Sequence, residues 1–336
     1  MTIESIKLDD NTEFKYDTSS QEFEGYLAAA AQIGVTNKDE SFYLARNLEF
    51  LRQKVFEPKY AALKLLNNAS LLNIDTSVPE GAETDTYVSV DSIGEAAVVG
   101  DFGDDIPTVE VTGQEYTNKI KSIATSYIYS AADVRKDKML GAGLPSSATQ
   151  RKLLVARRAV DQKLHSMLAL GDAAYGITGM FDETIIDTTG TSVWASASVA
   201  DILTDIKGAL DSILDGSSGN EEANTMLLDY TSYALLAKKE MDTTNYSGMT
   251  MLKYIQDNYK LNVDYLVQLK SAFVGGTKSG FMVYDSSADK IQGVVPMRLN
   301  VHAPQMHNLA TKNILEARCG GVRIYHPKSA HIVTGI

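Results

Sequence analysis

Twenty-three consecutive residues, Ala148 to Leu170, contain neither proline nor glycine, and no other feature limits the possible folds of this chain so strongly. Leu153, Val160, Leu164, Met167 and Leu168 fall on one apolar stripe at helical spacing, while Arg151, Arg157, Arg158 and Asp161 lie elsewhere on the wheel. Pro145-Ser146-Ser147 leads into the segment, and Gly171 stands where a terminating glycine belongs. At 1.5 Å of rise per residue the helix would be roughly 30 Å long or more. It can serve as the beam of a domain.

The rest of the chain is consistent with a globular protein around such a beam. At 336 residues, with 44% hydrophobic and 22% charged, it can hold two or three lobes or one large domain with extensions. Forty-three acidic residues against thirty-one basic ones give a net charge of −12. That balance argues against gripping nucleic acid through its phosphates, which needs clustered Lys and Arg. It leaves room for a protein that encloses a polyanion without gripping it. Cys319 is the single cysteine, so no intrachain disulfide can form. The first residues, MTIESIKLDDNTEFKYD, show no signal-peptide pattern, and no apolar run is long enough to span a bilayer, so a soluble cytoplasmic chain is expected.

Charge is segregated along the sequence. From Leu65 to Asn118 there is no Lys or Arg but eleven acids: Asp75, Glu80, Glu83, Asp85, Asp91, Glu95, Asp101, Asp104, Asp105, Glu110 and Glu115. Within it Thr86–Val90 and Thr108–Thr112 alternate like strands, with Gly94, Gly100 and Gly103 between them, which predicts a long hairpin with a mobile tip. From Lys119 to Lys163 the balance reverses to ten basic residues and three acidic ones. Ile120, Ile123, Tyr127, Ile128 and Val134 suggest strands there, up to a basic turn at Arg135 and Lys136.

The remaining segments alternate between the two periodicities. Residues 1 to about 40 look like an arm, followed by a helix from Ser41 to Pro58. A helix is expected over Val199–Leu214, a strand over Thr225–Asp229, and helices over Thr231–Met241 and Met251–Asn258. Strands are expected at Phe281–Asp285, Ile291–Pro296, Gly321–Ile324 and His331–Thr334. The class is α+β.

No motif for chemistry survives inspection. Gly141-Ala142-Gly143 lacks the third glycine of a dinucleotide loop, and Gly275-Gly276-Thr277-Lys278-Ser279 lacks the glycine that must precede a phosphate-loop lysine. The histidine pairs His302/His307 and His326/His331 are five apart, which points side chains in different directions on either a strand or a helix, so surface or interface packing is expected of the histidines. Cys319 reads as a small buried residue, and Trp194 alone is thin for a sugar cleft. No catalytic residue, cofactor or metal is expected.

The order of segments resembles the HK97-type major capsid proteins of tailed bacteriophages. Asp105-Ile106-Pro107-Thr108-Val109-Glu110-Val111 is similar to the return strand of their extended loop. The helix from Arg151-Lys152-Leu153 to Gly171-Asp172, followed by Gly176-Ile177-Thr178-Gly179-Met180, is similar to their spine helix and the turn after it. Gly320-Gly321-Val322-Arg323-Ile324 and Pro327 resemble the closing segment, and the resemblance covers about residues 41–336. It implies an N-terminal arm and helix at 1–57, a peripheral domain at 58–73 and 106–194 carrying spine helix 148–170, and an extended loop at 74–105. An axial domain at 195–301 and a closing segment at 302–336 complete it.

The implied function is structural and non-enzymatic: an icosahedral shell of hexamers and pentamers enclosing double-stranded phage DNA without sequence-specific binding or a membrane. Scaffold, portal and decoration proteins would be separate partners, with assembly in the host bacterial cytoplasm and residence in the virion. An encapsulin-like nanocompartment around an enzyme cargo is the alternative. With no lysine in the loop, a Lys-Asn crosslink starting there is not available. Asp101, Asp104 and Asp105 are the candidate acidic inter-subunit contacts, and Arg135, Lys136, Arg157 and Arg158 the basic ones. The loop acids could instead fold onto the basic segment of their own chain.

Overall fold

The computed structural model describes residues 3–7, 13–17, 60–94, 96–98, 108–140, 147–181, 185–241, 248–270 and 279–336. The chain divides into two units, Met1–Val55 and Phe56–Ile336. In the first, β1 (Ile3–Lys7) and β2 (Glu13–Asp17) form an antiparallel hairpin with Ile3 opposite Asp17. The expected helix from Ser41 and the hairpin tip around residues 99–107 lie outside the described residues.

The second unit opens with a one-turn helix α1 (Lys64–Asn67) and a short strand β3 (Asn73–Asp75). Next come β4 (Thr84–Ile93), β5 (Glu110–Lys119) and β6 (Lys121–Ser130). Where the sequence suggested strands running to a basic turn, the chain forms helix α2 (Ala131–Leu140) instead, which places Arg135 and Lys136 on a helix. Ser130 and Asp133 explain the change. The Asp133 carboxylate accepts from Ser130 N at 3.2 Å, and the Ser130 hydroxyl accepts from Asp133 N at 3.1 Å, a reciprocal cap that starts a helix.

Helix α3 (Ala148–Leu170) has the predicted bounds and two sources of order at its start. Ser147 Oγ accepts from Gln150 N at 3.2 Å, while Gln150 Oε1 accepts from Ser147 N at 3.3 Å. Asp137 of α2 adds a carboxylate at the positive end of the helix, accepting from Ala148 N at 3.2 Å. The N-terminal half of α3 packs Ala156 and Val160 on Leu315 and Ala317 of β14 (Ala310–Cys319). This long strand pairs with β6 from Ala310 opposite Ser130 to Cys319 opposite Lys121. On its other side it pairs with β12 (Met297–Val301) and β13 (Gln305–His307).

The C-terminal half of α3 enters the main core, where Leu164, Met167 and Leu168 meet Leu65, Leu71 and Leu72. Beyond it lies a five-stranded sheet in the order β7 (Ile186–Thr189), β16 (Ala330–Thr334), β10 (Gly280–Tyr284), β8 (Thr225–Leu228), β9 (Asn262–Tyr265). The strands β8, β10 and β16 are buried throughout, so both faces of the sheet are covered. With side chains alternating between faces, Leu227, Met282, Tyr284 and Ile332 point into the α3 core. Met226, Leu228, Phe281, Val283 and Val333 point the other way. There they meet α4 (Val199–Gly216), α5 (Tyr230–Lys238) and α6 (Met251–Tyr259). Trp194 belongs to that second core, its indole donating to the buried Asp205 at 2.9 Å.

A third sheet joins β15 (Gly321–Ile324), β11 (Ile291–Val294) and β3. Glycines let its first strand come close to the end of α3. A Cβ on Gly321 (φ +77°) would stand 2.2 Å from Thr178 O, and one on Gly179 would stand 2.3 Å from Gly171 N. The space saved is used for backbone pairing, with Val322 N donating to Thr178 O at 3.0 Å and Met180 N to Leu168 O at 2.9 Å.

Candidate assembly surfaces

A long exposed element is the hairpin of β4 and β5, paired in register from Thr84 opposite Lys119 to Ile93 opposite Glu110. Such a ribbon needs partners, because two strands alone bury too little to be stable. One of its faces carries Val88, Val90 and Val111, and Val109 continues the line beside Gly94. These valines are 59–66% exposed, side by side, with no side chain of the described chain over them. Isolated exposed apolar residues are ordinary, whereas a contiguous stripe on a protruding ribbon marks an interaction face.

Among the described residues the opposite face meets the body around Tyr87. Tyr87 stacks on Tyr116 with ring centroids 5.4 Å apart and meets Tyr325 edge-on at 4.9 Å. Its hydroxyl donates to Ile324 O at 3.1 Å. Beside it Arg323, 7% exposed, pairs with Asp75 at 3.3 Å and also with Asp85. Two acids of the basic-free stretch are therefore used within the chain, and by an arginine outside the basic segment. In the sequence Arg323 appeared only as part of the closing segment Gly320-Gly321-Val322-Arg323-Ile324, while the valines were visible as alternation without a side assigned to it.

The basic segment presents a second surface. The outward side of α3 shows Leu154 and Val155, 62% and 68% exposed, next to Arg157 and Arg158. Among the described residues Arg157 makes a single ion pair, with Asp161 one turn on at 4.0 Å, and Arg158 lies over the Tyr60 ring at 3.6 Å. Arg135 and Lys136 are exposed on α2 and form no ion pair among the described residues. Asp101, Asp104 and Asp105 lie outside the described residues, so no geometry joins them to these cations.

Three residues with catalytic potential are buried in structural roles. His165 and His331 are 0% and 2% exposed, which corrects the expectation of surface or interface histidines for these two, whereas His302 is half-buried and His307 and His326 are exposed. His165 Nε2 accepts from Leu65 N at 3.3 Å, and burial drives its pKa down to about 4. His331 Nε2 bonds Thr188 Oγ1 at 3.0 Å. Cys319 is fully buried, and burial pushes its thiol up to about 11, so it is not a nucleophile at neutral pH. Among the described residues no group of His, Cys, Asp or Glu could hold a metal, and no helix is long and apolar enough to cross a membrane.

The fold is shared with capsid subunits. The capsid of Myoviridae phage XM1 matches with a TM-score of 0.77 at 16% identity, covering 89% of this chain and 100% of that one. The capsid of a native GTA particle matches at 0.60 with 10% identity, covering 86% and 96%. Mycobacterium phage Ogopogo matches at 0.58 with 15% identity, covering 88% and 99%. No curated protein matches the sequence. The sequence model of the family described as "Major capsid protein" matches residues 94–336, from the hairpin tip through both cores to the last strand. With an α+β, HK97-like capsid fold and that match across most of its length, the chain belongs to the major capsid protein family, and it is a structural shell protein, not an enzyme.

Proposed function

We propose that the chain builds an icosahedral shell of hexamers and pentamers around double-stranded DNA, and that the β4–β5 hairpin is the arm by which one subunit holds the next. The uncovered valine stripe carries this reading. A second copy offers a matching surface in the Leu154–Val155–Arg158 side of α3, where apolar and basic groups meet a ribbon that is apolar and acidic. Burying a valine contributes about 1.5–3 kcal/mol, and an exposed ion pair about 0–1 kcal/mol, so the valines set the strength of the contact and the charges its register.

In this assignment the arm is 1–57 and the extended loop 74–105 with its return strand. The peripheral domain is 58–73 and 106–194, the axial domain 195–301 and the closing segment 302–336. Asp101, Asp104 and Asp105 would face Arg135, Lys136, Arg157 and Arg158 of a neighbour. Scaffold, portal and decoration proteins are separate chains in this reading, assembly takes place in the host bacterial cytoplasm, and the DNA is enclosed without being read.

Size-exclusion chromatography followed by negative-stain microscopy tests the reading. The parent chain should give shells or six-membered rings, and Val88→Asp with Val111→Asp should give folded 36.5 kDa subunits that do not assemble. Normal shells from that double variant would remove the valine face from the interface. Shells that package protein cargo instead of DNA would favour a nanocompartment.

A further inference from the structure

A ribbon that holds a neighbouring subunit works only if its angle to its own body is set, and in the structure one buried side chain pairs with acids on both sides of that joint. β5 is exposed along nearly its whole length, so the hairpin is oriented from its β4 face, at Asp85 and Tyr87. Arg323 reaches both sides of the joint. It pairs with Asp75, which ends β3 in the body sheet, and with Asp85, the second residue of the hairpin. Its Nη1 also donates to Tyr325 Oη at 2.9 Å, and Tyr325 Oη donates to Gln292 Oε1 at 3.2 Å, which anchors the guanidinium to β11. Tyr325 is the ring against which Tyr87 rests. Below the joint, Arg318 of β14 donates to the carbonyls of Glu80 and, at 2.9 Å, Ala82, holding the lead-in to β4.

A guanidinium this deeply buried is tolerated because two carboxylates and a phenol surround it. If the hairpin swings, Asp85 leaves and a buried cation loses half of its compensation. The planar fork serves two acids at once, which a point charge on a flexible stem does less well.

We infer that Arg323 is a positioning residue for assembly: through Asp75 and Asp85 it sets the angle at which the hairpin leaves the body, and so where the valine face meets a second copy. This rests on the reading of the hairpin as the docking arm. It adds to that reading a residue buried within its own subunit that still decides the geometry of the shell.

The test is a distance measurement in full-length unassembled subunits, with spin labels on Thr112→Cys, off the valine face, and Gln162→Cys on α3. Cys319 is buried and stays unlabelled. The parent should give one narrow distance distribution. Arg323→Met and Asp85→Asn should each broaden it at least twofold, and Arg323→Lys should recover only part of the narrowness. Shells from the unlabelled Met and Asn variants should be fewer and irregular in diameter. An unchanged distribution in Arg323→Met overturns the inference, including the case in which shell yield falls, since Arg323 would then act as an ordinary stabiliser. Uniform shells in spite of a broadened distribution overturn it too. Val88→Asp with Val111→Asp should keep the narrow distribution while losing shells. If that variant assembles, the docking reading fails whatever the clasp does.

Discussion

His165 and Arg323 are both charged-type side chains taken out of water, and the two sites solve the problem in opposite ways. His165 has a single acceptor role toward Leu65 N and no nearby acid to hold a proton, so the ring stays neutral. Arg323 cannot lose its charge and brings carboxylates with it. The consequences for pH fall in separate windows. With a folded pKa of about 4 against about 6.5 when unfolded, the His165 proton goes first to the unfolded chain. Stability is therefore lost as pH falls below 6.5 and the loss is complete below 4, where it amounts to roughly 3 kcal/mol. Urea unfolding at about pH 7 and about pH 4.5 should show this slope, and His165→Gln should flatten it. At Asp75 burial alone would raise the pKa, but the hydrogen bonds from Ser77 and the Arg323 charge outweigh it and hold the carboxyl below its ordinary value. Its contribution is present above the unfolded carboxylate range and disappears only as pH falls through the lowered value. Neither role could be read from sequence, because both depend on a partner 100 or more residues away.

Among elements, α3 was legible to the residue because its signals are local: a capping serine, an apolar stripe and a closing glycine within one segment. β14 was missed for the opposite reason. Its inward positions are Asn313, Leu315, Ala317 and Cys319, and a polar, a small and a sulfur-bearing residue hide the alternation. They point inward because α3 covers that face of the sheet that β14 shares with β6, which is a tertiary fact. The glycines after α3 gain their meaning in the same way. Gly321→Ala should destabilise by at least about 2 kcal/mol, since it adds a left-handed backbone penalty to a clash with Thr178 O. Gly208→Ala, on the outer face of α4 with nothing near its Cβ, should stabilise by about 0.5–1 kcal/mol. Denaturant midpoints of the two variants should move in opposite directions.

At the scale of the whole molecule, the acids of the basic-free stretch form no ion pair with the basic segment of their own chain among the described residues. Asp75 and Asp85 are bound to Arg323, whereas Arg135, Lys136 and Arg157 remain at the surface. Exposed cations of this kind act on encounter more than on final affinity. Arg157→Glu with Arg158→Glu should therefore slow assembly and reverse its response to salt, while leaving the subunit folded. In the parent, added salt should slow the rise of light scattering and change the final yield little, because buried valine is insensitive to screening. A final yield that collapses with salt would instead mean that charge, rather than valine burial, holds the subunits together.

The chain's α+β class, its long helix, its single cysteine and the lack of a catalytic motif were determined by the sequence itself, since each depends on residue type and near spacing. Tertiary structure decided which side of each strand faces inward. It set one buried sheet between two cores, left the valines of the hairpin uncovered, and brought Asp75, Asp85 and Arg323 together. The physical reason is the same throughout. Local periodicity says that a strand has two faces, and only the elements packed against it say which face leaves the water.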